Sequence, residues 1–407
     1  MSQHPSSLSI EAFNYDLPDE RIARFPTEQR DASKLMVYRN GNISDRVFYE
    51  LPEFFDSGDL LIFNHTRVVQ ARLHFQTPSL AAVEIFCLEP AGAHTDIPTA
   101  MLQTGSADWL CLVGQARKWK DHDVLFWEAG PLKLWARKGE RVLDGYKVHF
   151  EWAPSTFCFA DVLELAGNIP LPPYLKREPV AGDAERYQTV YAKEKGSVAA
   201  PTAGLHFTER TFEELRAKGV LTESLTLHVG AGTFKPVKAS TMAEHTMHEE
   251  EVIVPVELMA LLAKHNGNIT VVGTTSLRSL ESLYWTALRL HRAPESELPV
   301  MKVHQWEPYD YAEEACLPYP EVLDSLLERM RRHGLSSLHG ETGLLIAPGY
   351  KLRMADRLIT NFHQPQSTLL LLVSAFIGDD WRKVYEHALE NEYRFLSFGD
   401  SSLLFKQ

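Results

Sequence analysis

Two stretches of the chain combine small residues, hydroxyls and histidine without apolar bulk: Gly196 to Thr208, GSVAAPTAGLHFT, and His228 to Phe234, HVGAGTF. Such residues let backbone and polar side chains lie close against a ligand, so both stretches read as parts of a binding site. His206, His228 and His363 fall at the ends of expected elements. Three imidazoles at one end of a sheet suit acid–base chemistry near neutral pH, although each alone equally suits a structural role. Thr274-Thr275-Ser276 stands at an expected strand-to-helix turn. Hydroxyls and free amides there fit a carboxylate or phosphate oxygen, or simply cap the helix. Arg278, in the first turn, opposes the helix dipole and so suits an anionic ligand.

Other candidates are weaker. Gly230-Ala231-Gly232 opens like a dinucleotide fingerprint, but Lys235 stands where the third glycine belongs, which disfavours a nicotinamide site and leaves a tight turn of positive φ as the alternative. His245, His248 and Glu249 share a helical face, yet HTMHE is neither HExxH nor HxxEH, and no metal is expected. Asp400, in Ser397 to Ser401, is either a polar site group or part of a turn. Cys87, Cys111, Cys158 and Cys316 are too scattered for a zinc motif or a disulfide framework.

The elements that must hold these groups follow from patterning. Leu60 to Phe63 is a buried strand that runs into Asn64-His65-Thr66-Arg67 and on to Val68–Leu73. From about His74 to Trp152 short β-type runs (Val83–Leu88, Trp109–Val113, Val124–Trp127, Leu132–Ala136, Tyr146–Phe150) alternate with Gly, Pro and Asp, which reads as a small antiparallel barrel or sandwich. Helices and strands then alternate. Thr208 caps a helix ending at Gly219, Leu225, Leu227 and Val229 alternate as a strand, Ile269–Val272 is a buried strand, and Leu277, Leu280, Tyr284 and Leu288 share one face of the next helix. The fold class is α/β, its main sheet barrel-like or open, over residues 1–73 and 153–407, with a small antiparallel β-barrel inserted at 74–152. Residues 285–340 form an ordered extra segment whose Glu321–Arg332 stretch is an amphipathic helix.

At 407 residues and 44% hydrophobic content the chain can bury the core of two domains. Its longest apolar run, around Leu369 to Val373, is far shorter than the roughly 20 residues of a membrane span. The N-terminal residues lack the pattern of an export signal, so the cytoplasm is the expected location and no membrane partner is expected. A net charge of −13 argues against a generally basic surface for nucleic acid. Arg117-Lys118-Trp119-Lys120, Arg137-Lys138 and Lys147 nevertheless give the barrel a basic, aromatic face, and Lys176-Arg177 adds to it, unless these are ordinary solvated charges.

Taken together, the blocks DLLIFNHTRVVQARL (Asp59–Leu73), Pro172–Arg177, ERYQTVYA (Glu185–Ala192), Gly196–Thr208, Thr226–Val237, His245–Glu249, Gly273–Ser282, Pro348–Tyr350, Thr360–Leu372 and Tyr393–Asp400 closely resemble the S-adenosylmethionine:tRNA ribosyltransferase-isomerase family of queuosine biosynthesis. The resemblance implies an α/β domain with an inserted barrel. It implies transfer of the ribosyl part of S-adenosylmethionine to 7-aminomethyl-7-deazaguanine at the tRNA wobble position, with rearrangement to epoxyqueuosine and loss of adenine and methionine. S-adenosylmethionine is then a co-substrate, no metal is required, tRNA is the partner, and the protein is a monomer or small homo-oligomer. On motif match and chemistry, His206 or His228 is the candidate base. Thr202, Gly204, Gly230, Gly232, Thr233, Thr274, Thr275 and Arg278 are candidates for S-adenosylmethionine, the last three for its carboxylate. Asn64, Arg67, Arg186, Tyr187, Gln188, Asn361, His363 and Asp400 are candidates for the acceptor nucleotide. The chain departs from the family pattern at His65, where Asp is usual, at Gln364, where Leu is usual, and in the length of its 285–340 segment. Those departures keep a different acceptor as the alternative. A non-catalytic RNA-binding relative would show eroded polar motifs, and here they are largely intact.

Overall fold

Leu60–Asn64 carries no charge and is preceded by the turn Ser57-Gly58-Asp59, and it lies near the middle of a ten-stranded mixed sheet. The fold is a computed structural model that describes residues 4–91, 96–230, 241–293 and 297–407. Parallel to the central strand run Leu221–His228 on one side and Ile269–Val272 on the other. Outward from Leu221–His228 come Glu250–Pro255, Ser337–Thr342 and the edge strand Met301–Val303. Outward from Ile269–Val272 come Arg357–Asn361, Ser401–Phe405, Lys34–Arg39 and the edge strand Asn42–Val47. The sheet is therefore open rather than barrel-like.

The barrel is an antiparallel ring of Arg72–Gln76, Ala82–Pro90, Ser106–Gly114, Gly145–Ala153, Leu132–Val142 and Val124–Ala129, closed by the pairing of Gln76 with Phe126. Alternating apolar residues fill it, and the helix Phe159–Ala166 adds Phe159, which stacks on Trp109 at 5.0 Å between ring centroids. Every barrel run read from the sequence is a strand here. Trp119 is the exception to the expected basic, aromatic face. It is buried, and its indole donates to the Asp123 carbonyl.

The helix Thr274–Arg292 was expected to bury one face, yet every residue from Thr274 to Leu288 is buried. The reason lies in the 285–340 segment. Its helix Tyr319–Arg332 covers the side turned away from the sheet, and its strand Met301–Val303 extends the sheet itself. The described part of the segment is built into the sheet and core rather than appended. Among the described residues no helix is long and apolar enough to cross a membrane.

Asp59 ties three of these strands together. Its carboxylate accepts from Arg357 at 2.8 Å, from the Asn268 side chain at 2.8 Å and from the Asp56 amide at 3.0 Å. Burial pushes its pKa up, but these hydrogen bonds and the Arg357 charge outweigh burial and hold it below the usual carboxylate value. Asp59→Ala strands a buried guanidinium. The expected loss is about 3–5 kcal/mol of stability in urea unfolding, whereas a loss under 1 kcal/mol would contradict the role given to Asp59.

Candidate functional site

The two small-residue stretches interlock. Gly196 holds φ +145°, and a Cβ there would sit 2.8 Å from the His228 ring and 2.5 Å from Ile97. Beyond it the Val198 amide donates to the Val229 carbonyl at 3.1 Å, and Ser197 Oγ accepts from the Val229 amide at 3.0 Å. Val229, Ala199, Ala200 and Thr202 then form one wall of a cavity of about 400 Å³. Gly273, Thr274, Thr275 and Arg278 form a second wall, and Asn361, His363, Gln364 and Ser397 a third. Three separate strand ends thus deliver their polar turns to one place, as the α/β alternation requires.

The second wall is the start of the long helix. Its N-cap is Gly273, at φ +89°, with no side chain to cap the first amides, so the positive end of the helix opens on the cavity beside Thr274 and Thr275. Arg278 is differently employed from the sequence expectation. Its guanidinium is paired with Glu250 at 2.9 Å and donates to the Leu344 carbonyl at 3.1 Å, with both side chains buried. An anion reaching Arg278 meets a charge already matched.

The histidines separate into distinct roles. His206 is sealed between Ser33 Oγ at 2.7 Å and Asn361 Oδ1 at 3.1 Å, stacks on Phe48, and does not line the cavity. Both its nitrogens are hydrogen-bonded within the protein, away from the cavity. His228 is 3% exposed, one residue behind the wall residue Val229, and neither ring nitrogen has a hydrogen-bond partner among the described residues. Burial lowers its pKa to about 4. His363 lines the cavity with Nε2 held by Thr360 Oγ1 at 2.9 Å, and burial lowers its pKa to about 3. His245 and His248, first considered for metal, also line the cavity. Burial, then the neighbouring His248, lowers the pKa of His245. Among the described residues no cluster of three or more His, Cys, Asp or Glu is arranged around a metal position.

Of the remaining candidates, Tyr187, Asn361, Thr202, Thr274 and Thr275 line the cavity. Others do not. Asn64 brackets Leu227, donating to its carbonyl at 2.9 Å and accepting from its amide at 3.1 Å. Gln188 brackets Val68 in the same way, at 2.7 and 3.0 Å. Asp400 accepts from the Lys34 and Arg394 amides at 3.0 and 2.8 Å, and Arg186 donates to the Thr27 and Glu28 carbonyls at 2.6 and 3.0 Å. Gly204 makes room for Tyr191, whose hydroxyl lies 1.9 Å from where a Cβ would be. Arg67 is exposed on a two-stranded ribbon. Gly230 has no positive φ and faces open space, while Gly232 and Thr233 lie outside the described residues. Tyr174, Gln364 and Ser397 were not singled out for the site and do line it. Their presence in matched blocks was the available signal.

The α/β sheet thus has a cavity at its strand ends, beside an uncapped helix N-terminus, which is where folds of this class place their ligand sites. The profile of the queuosine biosynthesis protein family matches residues 10–404, and the chain belongs to that family. A curated relative from Azoarcus sp. (strain BH72), named S-adenosylmethionine:tRNA ribosyltransferase-isomerase, is 38% identical over 403 residues, covering 98% of each chain. One of the same name from Burkholderia cenocepacia is 39% identical over 407 residues, covering 98% of this chain and 97% of the relative. The crystal structure of an S-adenosylmethionine tRNA ribosyltransferase from Thermotoga maritima is similar at 28% identity, with a TM-score of 0.46 over 97% of this chain and 99% of that one.

Two outcomes follow from this geometry. Gly196→Ala forces a Cβ into His228 at a φ that L-residues avoid, so a loss of about 1–3 kcal/mol in chemical unfolding is expected. The second concerns acid. An unfolded histidine titrates near 6.5, whereas His206 and His228 are lowered to about 4 and His363 to about 3. The unfolded chain therefore binds more protons as pH falls below 6.5, and stability is lost from there down to about pH 4. The three sites together give a slope of up to about 4 kcal/mol per pH unit. A urea midpoint unchanged between pH 7 and pH 5 would contradict this.

Proposed function

We propose that the protein transfers and isomerises the ribosyl moiety of S-adenosylmethionine onto 7-aminomethyl-7-deazaguanine at the tRNA wobble position, giving epoxyqueuosine with release of adenine and methionine. The supporting observation is the cavity itself, with an uncapped helix N-terminus facing buried polar groups, in a chain that aligns end to end with relatives carrying that name. The sulfonium acidifies the adjacent ribose carbon, so a neutral base removes a proton there and adenine departs; the amine then attacks and loses its proton, and closure of the epoxide breaks the carbon–sulfur bond and expels methionine.

The chain supplies the rest. The amides and hydroxyls of Thr274 and Thr275 take the methionine carboxylate, and Arg278 with Glu250 braces that wall rather than binding the anion alone. Thr202 lies beside the co-substrate, and Tyr187, Asn361 and His363 hold the acceptor base and ribose. Two imidazoles are kept neutral for the proton: His228, whose ring nitrogens have no hydrogen-bond partner among the described residues and which lies one residue behind the wall, and His245, which stands on the cavity wall. The same reading makes 1–73 with 153–407 the catalytic unit and 74–152 the inserted domain; sheet and barrel have separate apolar cores, the barrel's extending past those bounds to Val69–Leu73 and Phe159–Ala166. A tRNA acceptor sets the cytoplasm as the place of work, and the protein acts as a monomer or small homo-oligomer.

The test uses S-adenosylmethionine labelled in the ribose and tRNA carrying the aminomethyl-deazaguanine. Label in tRNA with release of adenine is expected, and adenine release without transfer, or no reaction, would overturn the reading. Replacement of the true base, His228→Ala or His245→Ala, is expected to cost about 10²–10⁴ in kcat with little change in KM for S-adenosylmethionine.

A further inference from the structure

We propose that a groove on the outside of the barrel, lined by Arg117, Lys118, Arg141 and Tyr146, docks the sugar-phosphate backbone of an RNA strand whose neighbouring nucleotide enters the cavity. This inference rests on the transferase reading only for where the RNA strand leads.

The local sequence builds the groove. The strand Ser106–Gly114 ends at Gln115, whose φ of +56° turns the chain into the short helical turn Ala116–Lys118. Trp119 then plunges into the core and its indole is held by the Asp123 carbonyl at 3.0 Å, which fixes the turn and leaves Arg117 and Lys118 outside. The facing wall is the hairpin that carries Arg141 opposite Tyr146. Between the walls lies a shallow groove of about 540 Å³.

Its charge is unspent. Lys138 is paired with Asp121 at 2.9 Å and Arg137 with Glu151 at 3.6 Å, which neutralises that part of the wider basic face read from the sequence. Lys176 and Arg177 are likewise held, by Asp19 at 2.6 Å and Asp183 at 2.7 Å. Arg117, Lys118 and Arg141 have no ion pair among the described residues, and Asp144, the acidic residue on the groove, has a partner of its own. In a chain of net charge −13, three cations without an ion pair gathered on one groove favour a polyanion there. Tyr146, half-buried, adds a ring beside them. Position completes the case. Asp144 lines both the groove and the main cavity, so a strand lying in the groove is contiguous with the site.

The test compares the full-length protein with the triple variant Arg117→Ala, Lys118→Ala, Arg141→Ala and with a charge-matched control, Lys264→Ala, Lys302→Ala, Arg331→Ala, all at exposed positions. The binding constant for tRNA is measured against salt by fluorescence anisotropy. The groove variant is expected to lose about two to three from the slope of log K against log salt and tenfold or more in affinity, with KM for S-adenosylmethionine unchanged. A slope and affinity equal to those of the control would overturn the proposal. So would intact tRNA binding with selective loss of binding to poly-glutamate, which would assign the groove to an acidic protein. Wild-type protein that binds tRNA with the groove-dependent slope but transfers no label would overturn the transferase reading and leave the groove standing.

Discussion

Backbone hydrogen bonding that the sheet cannot complete is completed by side chains at the junction with the barrel, and the position of the cavity depends on it. Asn64 gives Leu227 both a donor and an acceptor just where the strand Leu60–Asn64 stops pairing. Gln188 does the same for Val68, and Ser197 serves the Val229 amide and the Ala199 carbonyl. Each side chain stands in for a missing strand, which lets the chain leave the sheet for the barrel and return without burying unpaired polar backbone. Without them Val229 and Ala199 would not share a wall, and the walls formed by Thr274 and Asn361 would face nothing fixed.

The same economy governs charge inside the protein. The buried guanidinium of Arg278 is met by Glu250, that of Arg357 by Asp59, and the buried Glu281 by the amides of Arg353 and Met354 and the Tyr350 hydroxyl. Histidines are kept uncharged by burial instead. The cavity consequently holds imidazoles whose burial favours the neutral form, beside a helix N-terminus with no side-chain cap.

Much of this was legible in the residues, and most of the failures share a cause. The barrel strands and Leu60–Asn64 announce themselves because their apolar periodicity is local. Glu250–Pro255, Ser337–Thr342 and Ser401–Phe405 were not read as strands, since they pair with segments well removed in sequence and two of them carry mixed polar patterns, and Lys34–Arg39 was missed although it forms a local hairpin with Asn42–Val47. At the site, motif membership located the region but could not say whether a polar side chain faces ligand or backbone. Asn64, Gln188, Arg186 and Asp400 look like contacts for a substrate and are contacts for the chain. Arg278 looked free because Glu250, which neutralises it, belongs to a different strand. Trp119 looked like a stacking platform because nothing local reveals that its indole donor is satisfied inward.

The order of strands in the large sheet sets a timetable for synthesis. Ser401–Phe405 lies between Arg357–Asn361 and Lys34–Arg39, with Leu35 opposite Ser401. The hairpin of Lys34–Arg39 and Asn42–Val47 therefore joins the sheet only through a strand translated more than 350 residues later. At about 5–20 residues per second that leaves its inner edge unpaired for some tens of seconds on the ribosome. The entropy of closing so long a loop grows only logarithmically, so the final docking is affordable in free energy but late in time. During that interval the apolar Leu35, Met36 and Val37 present an open edge that other strands can pair with.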